Sequence, residues 1–246
     1  MLLPPSETKR GGGDGPPLRM EELSSPVLNS LRSELVGELV GLSSDLKASR
    51  AALGVSPSQD SEIERNAALR TAPTMPAIRR YTGVLYDALD VDSLRGAEAK
   101  RALARLAVGS ALFGLLSAED LVPAYRLSAT SKLPGQPTLA TRWKPVLEPV
   151  LADLARHDLI VDLRSGSYVA LGRQPDAVRV DVLAEHPDGR RTVVTHFNKA
   201  HKGRLARALA ATRAEPDDAA GVAAVARRAG MRVERSGNEL VVVVPA

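Results

Sequence analysis

The chain has 246 residues, 44% of them hydrophobic, 25% charged and only 3% aromatic, a soluble-globular composition whose core must be built of Leu, Val, Ala and Ile. Lys and Arg number 33 against 29 Asp and Glu, a net charge of +4 with a pI of about 9.6, which suits an acidic partner without demanding one. The lack of cysteine excludes disulfides, thiol catalysis, Fe–S clusters and thiolate zinc sites; no apolar run reaches the ~18 residues of a membrane span and no signal-peptide pattern is evident, so a cytoplasmic location is expected.

A short apolar start leads into a Gly/Pro loop, RGGGDGPPL at 10–18, which lacks the spacing and context of a nucleotide-binding glycine loop. Ser25-Pro26 is a helix start. Leu28, Leu31, Leu35, Leu39, Leu42 and Leu46 then recur at helical spacing, which predicts one helix ending near Gly54, its stripe buried or else used as a partner seam. Ser61-Glu62-Ile63-Glu64 opens a second helix. Ala72 to Pro76 is a break, Pro76 to Leu89 a third helix, and Glu98 to Leu106 a fourth, with Lys100, Arg101 and Arg105 on its polar side. Val108 to Leu116 fits strand or turn. Ser128 to Pro137 is loop, and Trp143 to Arg156 a helix from which Pro149 removes one hydrogen bond.

The second half mixes strands with helices. Leu159 to Leu163 reads as a buried strand followed by a turn at Ser165-Gly166-Ser167. Strands at Val178 to Ala184 and Thr192 to Phe197 flank a hairpin signal, Pro187-Asp188-Gly189. Helices follow at Lys199 to Thr212 and Asp217 to Ala229. A last hairpin joins Met231–Glu234 to Glu239–Val243 around Ser236-Gly237-Asn238. The expected fold is α+β: a single compact domain over residues 1–246, with a mixed sheet surrounded by helices. No repeat or linker is visible.

The densest chemical signal is THFNKAHKGRLAR, Thr195 to Arg207. Lys199, His201, Lys202, Arg204 and Arg207 stand beside Gly203, with no acidic residue until Glu215. Such a run can hold phosphates; it can also be a solvated helix face with Leu205 and Leu209 beneath it. If four or five of these charges meet phosphates, log K falls with log salt at a slope of about −4. His196 and His201 lack the i, i+4 spacing of a helical metal pair. No Glu-x-x-His motif supports ferritin-like chemistry, so neither metal nor cofactor is expected.

Several blocks taken in order resemble the YaaA family of peroxide-stress proteins. Leu3-Pro4-Pro5-Ser6-Glu7-Thr8-Lys9 looks like its S-P-A-K-T opening, and Gly83 to Leu89 is similar to its G-x-V-Y-x-G-L motif. Ser110 to Leu116, then Asp120-Leu121 and Tyr125-Arg126-Leu127, resemble L-S-G-L-Y-G-V-L…D-L…P-Y-R-L. Trp143 falls where the family has a helix-opening tryptophan. Asp162 to Tyr168 looks like N-L-A-S-x-E-Y, and Lys199 to Gly203 with Arg207 resembles K-K-A-R-G…R. Glu7, Ala88, Ala111, Ser167, Ala200 and His201 depart from the pattern, as in a divergent branch of actinobacterial type.

The resemblance implies an intracellular bacterial protein of the peroxide-stress response. It implies an α+β fold with a positively charged cleft, a helix-hairpin-helix-like element and DNA binding, with no defining reaction. On this basis DNA is the expected partner, a duplex or distorted duplex held through its backbone with low sequence specificity by a monomer. Lys199, Lys202, Arg204, Arg207 and Arg126 are the candidate phosphate contacts, although Arg126 could instead pair with Glu119 or Asp120. Thr8, Asp162, Ser165 and Tyr168 are candidate polar cleft residues. The amides of Ser110 to Leu116 could meet phosphate, or could form a buried turn. The alternative is an enzyme acting on a nucleotide or nucleic acid in the same cleft; no catalytic residue is assigned.

Overall fold

The computed structural model describes residues 1–193 and 198–246. Leu2–Leu3 form β1, both buried, and Gly15–Pro17 form β2. The leucine stripe folds as two helices rather than one, α1 at Asn29–Leu42 and α2 at Leu46–Leu53. Asp45 makes the break: its carboxylate accepts from the Ala48 amide at 2.9 Å, and such a cap satisfies a donor at a fresh helix start. Leu28, Leu31, Leu35 and Leu39 are buried in the core, Leu42 is partly buried and Leu46, on α2, is exposed, so the stripe of α1 faces the core rather than a partner.

α3, Asp60–Ala67, follows a capping box at Ser56 and Gln59 instead of opening at Ser61. The expected break holds a strand, β3 at Pro73–Pro76. The expected third helix is split into α4, Ala77–Arg80, and α5, Val84–Leu89, because Gly83 sits at φ +97 between them. Next come α6 at Gly96–Arg105, β4 at Ala107–Ser110, β5 at Gly114–Ser117 and β6 at Leu121–Val122. α7 spans Leu139–Ala155 despite Pro145 and Pro149; it starts before Trp143 because the Thr138 hydroxyl caps the Thr141 amide at 3.2 Å. β7 (Val161–Asp162), α8 (Gly166–Val169), β8 (Val178–Glu185) and β9 (Arg191–Val193) lead to α9 (Asn198–Ala211), α10 (Ala219–Arg228), β10 (Arg232–Ser236) and β11 (Glu239–Pro245). Residues 194–197, which include His196 and the end of the expected Thr192–Phe197 strand, lie outside the described residues.

The larger sheet has the order β10-β11-β8-β7-β1-β4-β5, with β9 also on β8; β2, β3 and β6 form a smaller one. The run β11-β8-β7-β1-β4 is parallel throughout, and the outer pairs are antiparallel. This is the expected α+β arrangement of a mixed sheet flanked by helices. From β1 the chain proceeds to β4 on one side and later to β7 on the other. The carboxyl end of β1 is therefore a switch point, where an open sheet leaves a crevice between diverging loops.

The β4–β5 hairpin is a buried turn. The Ser110 hydroxyl accepts from the amides of Leu112 and Phe113 at 3.2 and 2.9 Å, and the Trp143 indole donates to Ala111 O at 2.8 Å. Gly114 has φ +71, and a Cβ there would lie 2.5 Å from the Trp143 ring. The turn thus packs against α7 and does not offer its amides to phosphate.

Helix α9 is fixed from both ends. Gly203 faces α5 so closely that a Cβ would lie 2.2 Å from Leu85 O; this glycine serves helix packing, not an anion loop. Arg101 donates to Ala211 O at 2.8 Å and Arg105 to Leu209 O at 3.0 Å, so two arginines of α6 satisfy the orphan carbonyls at the carboxyl end of α9.

Candidate functional site

The loop after β1 turns Lys9 inward. Lys9 bridges to Tyr81 across the chain and is buried. Its ammonium donates to Ser6 O at 3.2 Å and Glu7 O at 3.3 Å, and stands 4.1 Å from the centre of the Tyr125 ring, a cation–π distance. Behind it Tyr125 Oη bonds Ser110 Oγ at 2.6 Å and Tyr81 Oη at 2.8 Å. Tyr86 Oη donates to Pro4 O at 2.9 Å and closes the floor. Burial, and next the Arg126 charge, pull Lys9 down to about 7, while Glu62 and Glu7 pull the other way. Burial pushes the Tyr81 phenol up to about 12 and the Tyr125 phenol well above its ordinary value.

This burial sets a pH signature. An unfolded lysine keeps its proton to about 10.4, so between pH ~7 and ~10 the unfolded chain binds the extra proton and stability rises with pH. Lys9→Met should flatten that rise, read as urea midpoints at pH 7, 8 and 9. Parallel pH profiles for variant and wild type would show that Lys9 keeps its ordinary ionisation.

Arg126 lies beside Lys9. Its Nη2 donates to Glu7 Oε2 at 2.5 Å, so its partner is Glu7. Asp120 instead accepts from Ser24 and Ser117. Thr8 and Thr82 face each other, Oγ1 to Oγ1, at 3.3 Å, and the Thr82 amide donates to Ser6 Oγ at 3.0 Å. Burial raises the Tyr168 phenol, with the Glu7 and Arg126 charges acting on it in opposite directions. Thr8 lies in the same loop as Lys9, and Tyr168 is close enough to Glu7 and Arg126 to feel both charges. Ser165 precedes α8, exposed on the rim of the next loop.

Asp162 has a structural position. Its carboxylate accepts from Arg164 Nε at 2.9 Å and Nη2 at 2.7 Å, with the two side chains 5% and 2% exposed. Gly109 makes room: a Cβ there would lie 2.9 Å from Arg164 Cδ.

The basic residues of α9 point in different directions. Lys202 is buried and donates to Leu163 O at 3.3 Å; burial lowers its pKa, opposed by Asp181 and Asp162. Arg207 is half-buried and ties α9 to the end of α5, donating to Leu89 O at 2.9 Å and Asp90 O at 2.7 Å. Lys199 and Arg204 are exposed. His201, Arg204 and Arg207 line one side of a groove of about 1100 Å³, with His186 and Arg232 also on its walls. Glu185, in the same groove, accepts from Arg191 at 3.0 Å and also binds Arg232, so its charge is spent internally. His186 directly follows β8, which puts this groove and the Lys9 crevice at the same, carboxyl edge of the parallel strands.

Lys9, Tyr81 and Ser110 were not among the expected cleft residues. The signal for Lys9 was a lysine inside the S-P-A-K-T-like opening, two positions after Glu7. Among the described residues no group of three or more His, Asp or Glu could hold a metal ion, and no helix is long and apolar enough to cross a membrane.

The family model described as peroxide stress protein YaaA matches residues 1–234. UPF0246 protein CE1889 of Corynebacterium efficiens is 49% identical over 238 residues, 95% of this chain and 94% of its own length. UPF0246 protein Cgl1995/cg2186 of Corynebacterium glutamicum is 47% identical over 242 residues, 97% and 96% of the two chains. UPF0246 protein SCO2297 of Streptomyces coelicolor is 41% identical over 237 residues, 95% and 91% of the two chains. The chain belongs to the peroxide stress protein YaaA family.

Proposed function

We propose that this chain, as a YaaA-family peroxide stress protein, binds DNA through its phosphate backbone in the groove beside α9. One observation carries the reading: Arg204 is exposed and shares a groove with His201, Arg207 and His186, while the acid there, Glu185, is paired with Arg191 and Arg232. Basic side chains of this kind meet phosphate oxygens without reading bases. The scarcity of aromatics disfavours a base-stacking platform. Lys199 and Arg204 make the direct contacts, and Arg207 contributes charge while bracing α5. Lys202 positions α9 from beneath. Protection against peroxide then follows from occupying the DNA.

With fewer free cations on α9 than the sequence suggested, the slope of log K against log salt is expected at about −2 to −3. Fluorescence anisotropy with one duplex and its scrambled version, titrated across salt, measures it. Equal affinity for both sequences is the expected result. Salt-independent binding, or a strong preference for one sequence, would overturn the reading.

The alternative, an enzyme acting on a nucleotide or nucleic acid, draws on the Lys9 crevice. A buried amine of lowered pKa against the Tyr125 ring, at a switch point, is the kind of group that general-base chemistry uses. Turnover of a nucleotide by wild type that Lys9→Met abolishes would favour it over simple binding.

A further inference from the structure

We propose that Arg126 and Lys9 form a seat for a phosphate monoester, and that the Glu7 carboxylate fills this seat as an internal stand-in. The site is distinct from the groove beside α9 and does not depend on it.

The seat is rigid where it needs to be. The Arg126 main chain is held from both sides by Asn66, which accepts from its amide at 2.8 Å and donates to its carbonyl at 2.8 Å. The Arg126 side chain is only 13% exposed. A guanidinium has five N–H donors in a fixed fork, and here Glu7 takes the Nη2 while the buried Nε has no partner among the described residues. A buried, unused donor beside a used one is half of a bidentate oxyanion contact.

The charges are unbalanced in the same sense. Among the described residues Lys9 meets only backbone carbonyls and aromatic ring faces, and no carboxylate there pairs with it directly. Arg65 and Glu62, the other charges felt at Lys9, are paired with each other at 2.7 Å. Arg126, joined by Lys9 when Lys9 carries its proton, therefore shares one carboxylate, and that carboxylate is the loosest member: the Glu7 side chain is 64% exposed, with Arg126 as its only polar side-chain partner among the described residues. A phosphate monoester carries up to two negative charges and three terminal oxygens. It can engage Nε and Nη2 together while facing the Lys9 ammonium. Glu7 can swing outward without disturbing the Ser6 and Thr8 bonds that pin its loop to Thr82.

Isothermal titration of the full chain with inorganic phosphate, AMP and a 5′-phosphorylated duplex tests this and separates the sources of the phosphate. Binding of phosphate or AMP, or tighter binding of the 5′-phosphorylated duplex than of its unphosphorylated form, is expected; Glu7→Gln should tighten the phosphate-dependent binding about tenfold by removing the competing charge, and Arg126→Met should abolish it. Arg156→Ala, at a surface arginine outside both sites, should leave phosphate and AMP affinity unchanged. A gain of affinity in Glu7→Gln cannot arise from misfolding, so it guards against instability of Arg126→Met. The proposal is overturned if neither phosphate nor AMP binds and a 5′-phosphate adds nothing to duplex affinity, if Glu7→Gln leaves the affinity for phosphate and AMP unchanged or weaker, or if folded Arg126→Met still binds phosphate or AMP.

Discussion

Asp162→Asn is expected to destabilise the fold by about 3–5 kcal/mol, the cost of leaving a buried cation without its counter-charge. Arg164 and Asp162 are almost completely enclosed, and Arg164 also donates to Gly172 O at 2.9 Å. Asparagine keeps an acceptor for one of the guanidinium donors but removes the charge and turns a donor toward it. For a chain of this size the melting temperature should fall by roughly 10 °C. The pair is expected to matter through its breaking, not its presence: Asp162→Leu combined with Arg164→Met should recover much of the loss, since replacing both members by apolar groups removes the unpaired charge. Because the pair anchors the Leu163 turn, whose carbonyl receives Lys202, Asp162→Asn should also loosen the amino end of α9. Urea unfolding of the single and double variants decides this; a single variant within ~0.5 kcal/mol of wild type, the size of an ordinary surface change, would mean the pair is already hydrated.

Arg32→Met should cost a comparable ~3–5 kcal/mol, by stranding several carbonyls at about 1–3 kcal/mol each. Arg32 is fully buried in α1 and has no carboxylate partner among the described residues. It donates to Phe113 O at 2.9 Å, Leu115 O at 2.6 Å, Ser24 O at 2.8 Å and Asn29 Oδ1 at 2.8 Å. Burial lowers its pKa to about 10, so it stays protonated at neutral pH. The arginine replaces, for the β5 side of the hairpin, the backbone partners that a longer sheet would supply. Arg32→Lys should rescue little, because an ammonium is a point donor and cannot span these acceptors as a planar fork does. Differential scanning calorimetry of both variants is the check; full rescue by lysine would show that charge, and not the fork, is what the hairpin needs.

These positions show which parts of the molecule could be read along the chain and which could not. Periodicity located α6, α9, α10 and the terminal hairpin, because each is a local pattern of apolar spacing or turn residues. It merged α1 with α2, since a leucine stripe carries through Asp45 while the backbone stops there to be capped. The basic run was legible as charge but not as direction. Lys202, Leu205 and Leu209 share one helix face at spacings of three and four, and that face is buried, so the lysine follows the leucines inward. Arg32 stood inside an ordinary leucine helix, with nothing in its neighbours to announce the hairpin carbonyls some 80 positions away. The Lys9 crevice is non-local in the same way. It exists because Tyr81, Ser110 and Tyr125 meet behind one loop at the carboxyl end of β1, and only the strand order brings them there. The family resemblance supplied the blocks that contain these residues, but their roles come from the contacts.

The most direct test of nucleic-acid binding in the α9 groove is duplex-DNA anisotropy at low salt for wild type, Arg204→Glu and Lys202→Met side by side. Reversing the exposed charge should weaken binding at least tenfold, equivalent to about 1.4 kcal/mol, whereas replacing the buried lysine should change affinity by about twofold or less once folding is verified, because a side chain bonded to Leu163 O makes no phosphate contact. Wild type that fails to bind, or Arg204→Glu that binds as wild type does, would contradict the assignment of this groove to DNA.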